Sequence, residues 1–150
     1  MLRFACSLLL VIGFTAFSFA QNTGIENTIE KLFQGMLNGD STMVHASFHD
    51  DVSMYTTFID DKGENQLRKG SLSSFLNAVG SPHEEVWNEV ISNLKIEVDD
   101  GLAQAWMNYS FYVGDKFSHC GVNTMQLINV GDQWKILHLI DTRRKENCND

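Results

Sequence analysis

The sequence predicts an α+β fold in which helices pack on one face of a curved antiparallel sheet. Two stretches before residue 81 place apolar residues at helical spacing, whereas residues 90–142 largely alternate between apolar and polar side chains, as strands do. Turn sequences such as Asp99-Asp100-Gly101 and Gly131-Asp132 divide the alternating region into a meander. A single proline and the lack of any internal repeat indicate one compact domain.

The first helix is predicted to begin at a capping box that starts at Thr23 and to end at Gly39. Its apolar face consists of Ile25, Ile29, Leu32, Phe33, Met36 and Leu37. Asp40 is expected to cap a short second helix, and a third helix is expected to open at Ser71. Strands are predicted over residues 52–59, 64–68, 90–98, 102–113, 117–130 and 133–142.

The N-terminus predicts export. Residues 4–19 form an apolar run, and the small residues Ser18 and Ala20 suit a signal-peptidase site. Residues 1–20 are therefore expected to be a signal peptide, and 21–150 a periplasmic or secreted domain. The run is short and lacks a basic stop-transfer flank, so we expect no stable membrane anchor. The alternative, a buried N-terminal helix, is disfavoured by the abrupt change to polar sequence.

The charge balance disfavours nucleic acid as a partner. The chain carries 19 acidic and 11 basic residues, for a formal net charge of −8. An acidic surface repels phosphate backbones, and the one basic cluster, Arg143-Arg144-Lys145, belongs to the C-terminal tail.

Several motifs occur in a recurring order: Asn38-Gly39-Asp40, then Phe48-His49-Asp50-Asp51-Val52, and finally Gly131-Asp132-Gln133-Trp134-Lys135-Ile136. In this order the chain resembles the nuclear transport factor 2-like superfamily. Through His119-Cys120-Gly121-Val122 and Asp141-Thr142-Arg143-Arg144 it is most similar to the exported SnoaL-like and "putative lumazine-binding" group. The resemblance implies a cystatin-like α+β roll, whose cone-shaped sheet surrounds a pocket closed by helices. It implies no reaction, because this fold serves enzymes, binders and dimerisation modules alike.

Strand alternation predicts which residues face that pocket. A two-residue loop at Gly131-Asp132 pairs Leu137 with Gln126 and Leu139 with Thr124. In related folds the face of Trp134 is the convex one, so the opposite face would line the cone. The predicted ligand-binding residues are Met54, Thr56, Phe58, Trp106, Asn108, Thr124, Gln126, Leu137, Leu139, Asp141 and Arg143. A mostly apolar pocket with a few polar groups suits a small organic ligand.

The same assignment predicts a homodimer, because the convex face would expose an apolar patch of Trp134, Ile136 and Ile140. His119 and His138 are placed on that convex face as well.

Catalytic signatures are weak. In the ketosteroid isomerases of this superfamily, the catalytic aspartate occupies a position that corresponds to Thr56, which cannot act as a base at neutral pH. His45 and His49 have helical spacing but no accompanying metal-binding signature, so no metal or cofactor is predicted.

Cys120 and Cys148 are candidates for a disulfide, since a tail of five residues after Arg143 is long enough to fold back. An intermolecular bond and free thiols remain open alternatives.

These observations favour an exported small-molecule-binding domain. One alternative is a cyclase or isomerase in which Asp141 is the base and Arg143 or Gln126 stabilises developing negative charge. Another is a dimerisation module whose cone is filled by Phe58, Trp106 and Leu137. A further alternative is that the polar pocket groups only satisfy each other, with Asp141 and Arg143 forming an ion pair along one strand face.

Overall fold

The computed structural model describes the backbone of residues 5–148 and the side chains of residues 22–148. In this part of the chain, three helices and six strands follow one another. They are α1 (Ala5–Asn38), α2 (Ser41–His45), β1 (Phe48–Ile59), β2 (Asn65–Lys69), α3 (Leu72–Gly80), β3 (Trp87–Asp99), β4 (Leu102–Val113), β5 (Lys116–Val130) and β6 (Gln133–Arg143). The strands form a single sheet in the order β2-β1-β6-β5-β4-β3.

The predicted α+β class, with helices packed on a curved sheet, is confirmed. Neighbouring strands are antiparallel except for β1 and β6, which run parallel. The parallel pair arises because α3 carries the chain to the far edge of the sheet and three hairpins bring it back beside β1.

The predicted start of the first helix is wrong. α1 begins at Ala5, and Thr23 lies in its interior. Because the preceding residues are helical as well, the amides near Thr23 bond to carbonyls one turn earlier and need no cap. Removal of residues 1–20 stays a prediction. Within the described part of the chain, no helix has the length and apolarity needed to cross a membrane.

The other helix ends follow the sequence signals. Gly39 ends α1 with a φ of 66°, a value that glycine adopts without strain. The Asp40 carboxylate caps α2 by accepting a 2.9 Å hydrogen bond from the amide of Met43. The Ser71 hydroxyl caps α3 through the amide of Ser74.

The hydrophobic core lies where α1 crosses the inner face of the sheet. Ile25, Ile29 and Leu32 of α1 pack there among buried strand residues. Trp134 and Ile136 belong to this core and are 5% and 0% exposed. The predicted dimer patch of Trp134, Ile136 and Ile140 is therefore wrong, because α1 covers the first two of these residues. Homodimerisation itself stays a prediction.

A β-bulge interrupts the pairing of β5 with β6. From the hairpin to the pair Leu127–Ile136, the strands keep the predicted register. The register then shifts, so that Gln126 pairs with His138 and Met125 with Leu139. Leu137 is the extra residue, and the face of the strand that meets the helices changes there from even to odd positions. Trp134 and Asp141 consequently lie on the same side of the sheet.

Candidate functional site

A cavity of about 510 Å³ lies between the inner face of the sheet and helices α1 and α3. The helices contribute mainly apolar side chains, among them Leu32, Phe33 and Met36 from α1 and Phe75 and Ala78 from α3. The volume falls in the range that small-molecule sites occupy in proteins.

Five adjacent strands each place one polar side chain across the floor of this cavity. We call these side chains the polar row: Thr56 (β1), Asp141 (β6), Asn123 (β5), Tyr109 (β4) and Glu89 (β3). Tyr109, Asn123 and Asp141 are 3%, 4% and 7% exposed. Buried polar groups in contact with one another at a cavity floor provide several hydrogen-bonding sites within the reach of one ligand.

Asp141 accepts hydrogen bonds on both carboxylate oxygens. The Thr56 hydroxyl donates to Oδ1 at 2.6 Å, and Tyr109 Oη lies 3.2 Å from Oδ2. The same Tyr109 hydroxyl lies 2.9 Å from the carbonyl oxygen of Thr142, so it can donate to either acceptor. Burial raises the pKa of Asp141, against the opposing effects of the Thr56 hydroxyl and of the Arg143 guanidinium, whose Nη2 is 3.7 Å from Oδ2.

Glu89 has fewer partners than Asp141. Its Oε1 accepts a 2.7 Å hydrogen bond from the side-chain amide of Asn123. Burial raises the pKa of Glu89 to about 7, and the negative charge of Asp141 adds to the increase, while Asn123 and Arg143 act against it. Glu89 therefore changes its charge near neutral pH.

A bulge in β3 is what turns Glu89 inward. The register between β3 and β4 shifts after Ser92, and Asn93 there has a φ of 54°. Before the bulge the odd positions face the helices, and after it the even positions do. Val90 is consequently 52% exposed, although a regular alternation with Ile96 and Val98 would bury it.

Three aromatic residues form one wall of the cavity: Trp87, Phe111 and His119, here called the aromatic wall. The ring centroids of Phe111 and His119 lie 4.9 Å apart with the ring planes tilted by 30°, and Trp87 meets Phe111 edge-on at 6.0 Å. Burial lowers the pKa of His119 to about 4, helped by the charges of Arg143 and Lys145. The imidazole is therefore neutral at physiological pH.

Gly121 makes the contact between Tyr109 and Asp141 possible. A Cβ atom at this position would overlap the carbonyl oxygen of Thr142 and the ring of Tyr109. Only glycine lets the tyrosine ring lie across β5 and reach β6.

Five of the residues predicted from the sequence line the cavity. They are Met54, Thr56, Leu139, Asp141 and Arg143.

The other six do not line it. Four of them lie on the outer face of the sheet: Trp106, Asn108, Thr124 and Gln126. The prediction placed them inside because it assumed a regular register, without the bulge at Leu137. Trp106 is 52% exposed there. Leu137 is the bulged residue itself. Phe58 lies beyond the cavity, with its ring 4.8 Å below the guanidinium of Arg68.

The sequence interpretation missed Glu89, Tyr109, Asn123 and the aromatic wall. The predicted placement of His119 on the convex face was wrong. Like the placement of Thr124 in the pocket, it followed from a register of β5 and β6 without the bulge at Leu137. One signal was available for Tyr109. The alternation of Ala103, Ala105 and Met107 with more polar residues continues to this tyrosine and predicts it on the inner face. No comparable signal identifies Glu89, whose orientation depends on the bulge at Asn93.

His49, near the start of β1, makes a local hydrogen bond. His49 Nδ1 accepts the backbone amide of Asp51 at 3.1 Å. Across the described side chains, no three residues of the His, Cys, Asp and Glu types gather as a metal site would require.

A disulfide joins Cys120 to Cys148 within the chain, with the two Cα atoms 5.8 Å apart. Reciprocal backbone hydrogen bonds between Cys120 and Arg144 extend the pairing of β5 and β6 past Arg143. The disulfide therefore attaches the C-terminal tail to β5 beside the aromatic wall.

Residues 20–139 match a family model described as "Putative lumazine-binding". The chain belongs to this family. No curated protein matches the sequence.

Solved structures share the fold at low sequence identity. An NTF2-like protein with a cystatin-like fold from Novosphingobium aromaticivorans superposes with a TM-score of 0.71 at 9% identity, over 97% of this chain and 94% of that one. A protein from the same organism, described as "Putative Scytalone Dehydratase", gives 0.68 at 14% identity, over 87% and 88%. An NTF2-like protein from Pseudomonas putida gives 0.64 at 21% identity, over 87% and 93%. These likenesses show that the chain has the NTF2-like, cystatin-like fold, and they carry no assignment of function.

Proposed function

We propose that the protein binds a small organic molecule in the cavity. The apolar body of the ligand would lie between the helices and the aromatic wall, and its polar group would contact the polar row. The observation that carries this proposal is the convergence of five polar side chains on the floor of a 510 Å³ cavity with otherwise largely apolar walls. The description of the family, which names a small ligand, points the same way.

Stability alone does not account for the polar row. Two carboxyl groups in one largely buried site repel each other and lose hydration, and apolar residues of similar volume would fill the space at lower free energy. Glu89 and Asp141 instead face an open volume, where a ligand can reach them.

A second candidate function is proton transfer to or from a bound substrate. The pKa of about 7 for Glu89 is the observation in its favour, because a general acid or base works best near the ambient pH. Both oxygens of Asp141 already accept hydrogen bonds, which makes Glu89 the better base of the two. Gln126 cannot stabilise charge in this site from the outer face. In an activity assay with an identified substrate, Glu89→Gln would abolish turnover and Asp141→Asn would only reduce it.

We also infer that the protein is exported after cleavage following Ala20, because the apolar run over residues 4–19 ends in small residues. We further infer that it forms a homodimer through the outer face of the sheet, where Trp106 is 52% exposed. N-terminal sequencing of the protein recovered from its own host tests the first inference. An N-terminus at Met1 would overturn it. Light scattering at micromolar concentration tests the second, and a monomer mass would overturn it.

Native mass spectrometry of protein purified gently from its own host tests the binding proposal. Ala78 faces the cavity from α3, so Ala78→Trp would occupy part of the volume. Asn77→Trp is the matched control, because Asn77 is exposed on the same helix and does not line the cavity. We expect a bound small molecule on the wild type and on Asn77→Trp, and none on Ala78→Trp. Equal retention by both variants would place the ligand elsewhere, and three ligand-free proteins would count against the proposal.

A further inference from the structure

Glu89 forms no ion pair with any described side chain. Among these side chains, its hydrogen bond comes from the neutral amide of Asn123. The one guanidinium that lines the cavity belongs to Arg143, which lies against Asp141. A carboxylate in a largely buried site is strongly stabilised by an ion pair, and Arg143 acts on Glu89 only from its position beside Asp141.

The ionisable groups around the cavity leave a net negative charge. β4 contributes Tyr109, whose pKa is raised by burial, and β5 contributes His119, whose pKa of about 4 keeps it neutral. β6 contributes Asp141 and Arg143, which cancel when both are charged. Above neutral pH the ionised Glu89 therefore adds one uncompensated negative charge.

Groups from the other elements do not change this balance. The cavity-lining residues of α1, α3 and β1 carry no charge: Leu32, Phe33, Met36, Ser71, Ser74, Phe75, Ala78, Met54 and Thr56. His83 stacks on Trp87 at 4.2 Å, and Lys145 on the tail is exposed. Neither of these two lines the cavity.

Aromatic rings flank the Glu89 carboxylate on the same face of the sheet. Glu89 pairs with Phe111 in the register of β3 and β4, and Trp87 precedes it by two residues on β3. A carboxylate attracts an organic cation through its opposite charge, and nearby tryptophan and phenylalanine rings add the attraction of their quadrupoles.

We propose that the ligand of this cavity is an organic cation, such as an amine on an apolar or aromatic body, with its positive group against Glu89 and next to the rings of Trp87 and Phe111. This inference rests on the proposed function. The cation would provide the ion-pair partner that Glu89 lacks among the described side chains, while the helices would enclose the apolar body. An anionic ligand would meet two carboxylates, and a neutral ligand would leave the charge of Glu89 uncompensated.

The proposal predicts a specific pH dependence. A cation binds the ionised form of Glu89, so its affinity rises as the pH passes through about 7 and levels off above that value. At pH 5 roughly 1% of a carboxyl group with that pKa is ionised, so the affinity falls by up to about 100-fold relative to the plateau. His119 titrates below this window and Tyr109 above it.

Isothermal titration calorimetry with three probes that share one body tests the proposal. The probes are 2-naphthylmethylamine, 2-naphthylmethanol and 2-naphthoate, which are cationic, neutral and anionic across pH 5–8. Each is titrated at pH 5 and pH 8 into the wild type, Glu89→Gln and Glu84→Gln. Glu84 is exposed and does not line the cavity, so the last variant is the matched control.

At pH 8 we expect the amine to bind the wild type and Glu84→Gln at least about tenfold more tightly than the alcohol. This preference should disappear in Glu89→Gln and in the wild type at pH 5. Binding of the alcohol by Glu89→Gln would show that its cavity is intact. If Glu89→Gln does not fold, the proposal is tested by whether the wild type loses its preference for the amine between pH 8 and pH 5.

Equal or weaker binding of the amine at pH 8 would overturn the cation proposal and leave small-molecule binding in place. Binding of none of the three probes by the wild type would count against both.

Discussion

Glu89→Gln should make the protein more stable at alkaline pH and leave its stability at acidic pH nearly unchanged. Folding raises the pKa of this carboxyl group from 4.5 to about 7. A raised pKa means that the folded state favours the protonated form. The stabilisation from that form is fully present below pH 4.5 and is lost as the pH rises through about 7. The difference amounts to at most about 3 kcal/mol of unfolding free energy between pH 4 and pH 8.

Glutamine has the same shape, stays neutral and keeps an oxygen that can accept from Asn123. The difference in unfolding free energy between Glu89→Gln and the wild type should therefore rise by up to about 3 kcal/mol from pH 4 to pH 8. Urea denaturation followed by tryptophan fluorescence measures it at each pH. Asp141 and His119 also titrate, but they do so in both proteins and largely cancel in the difference.

Glu84→Gln is the control, and its difference from the wild type should not depend on pH by more than a few tenths of a kcal/mol. A pH-independent difference for Glu89→Gln would refute the reasoning. It would mean that Glu89 is hydrated in the folded state, and that no carboxyl group of the polar row has a pKa raised to near 7.

Three further predictions concern the surroundings of the cavity. Gly121→Ala should lower the unfolding free energy, measured in thermal melts, by at least about 2 kcal/mol, because the methyl group would overlap the facing strand. Gly101→Ala is the control and should have little effect, since its methyl group would meet no atom within 4 Å. The ring signals of His119 in NMR spectra should stay unchanged from pH 8 to pH 5 and move near pH 4, whereas titration near 6.5 would show that the ring is hydrated. Cys148→Ser should cost about 3 kcal/mol of unfolding free energy, since the bond to Cys120 spans 28 residues of chain; equal stability of the variant and the oxidised wild type in urea would contradict this.

The sequence predicted the fold because its local signals agree with the tertiary arrangement. The caps at Asp40 and Ser71 lie where the side-chain chemistry indicated, and the strand over 102–113 has its predicted bounds. Alternation along a strand also identified Thr56, Asp141 and Arg143 as residues on one common side. These features depend on neighbours in the chain, which a single sequence displays.

The candidate site was harder to predict, because two bulges decide which side chains face the cavity. A shift of one residue moves every later side chain of a strand to the opposite face. The bulge at Leu137 moved Thr124 and Gln126 outward, and the bulge at Asn93 moved Glu89 inward. Neither position carries a glycine or another local signal in the sequence. The positions of the two bulges are determined by packing across the whole sheet.

The error over the tryptophan face had a different cause. Analogy placed Trp134 on the convex side, whereas in the structure α1 lies against it, with Gly24 next to the indole and the Thr28 hydroxyl donating to the Trp134 carbonyl oxygen at 3.0 Å. The glycine in α1 makes room for the indole. That contact joins residues more than a hundred positions apart, so no local pattern in the sequence reveals it.

A crystal structure of the protein with 2-naphthylmethylamine, grown above pH 7, tests the central claim most directly. We predict electron density for the naphthyl body between α3 and the aromatic wall, with the amine nitrogen within hydrogen-bonding distance of Glu89. A cavity that holds only water, with the probe absent or bound on the outer face of the sheet, would contradict the account.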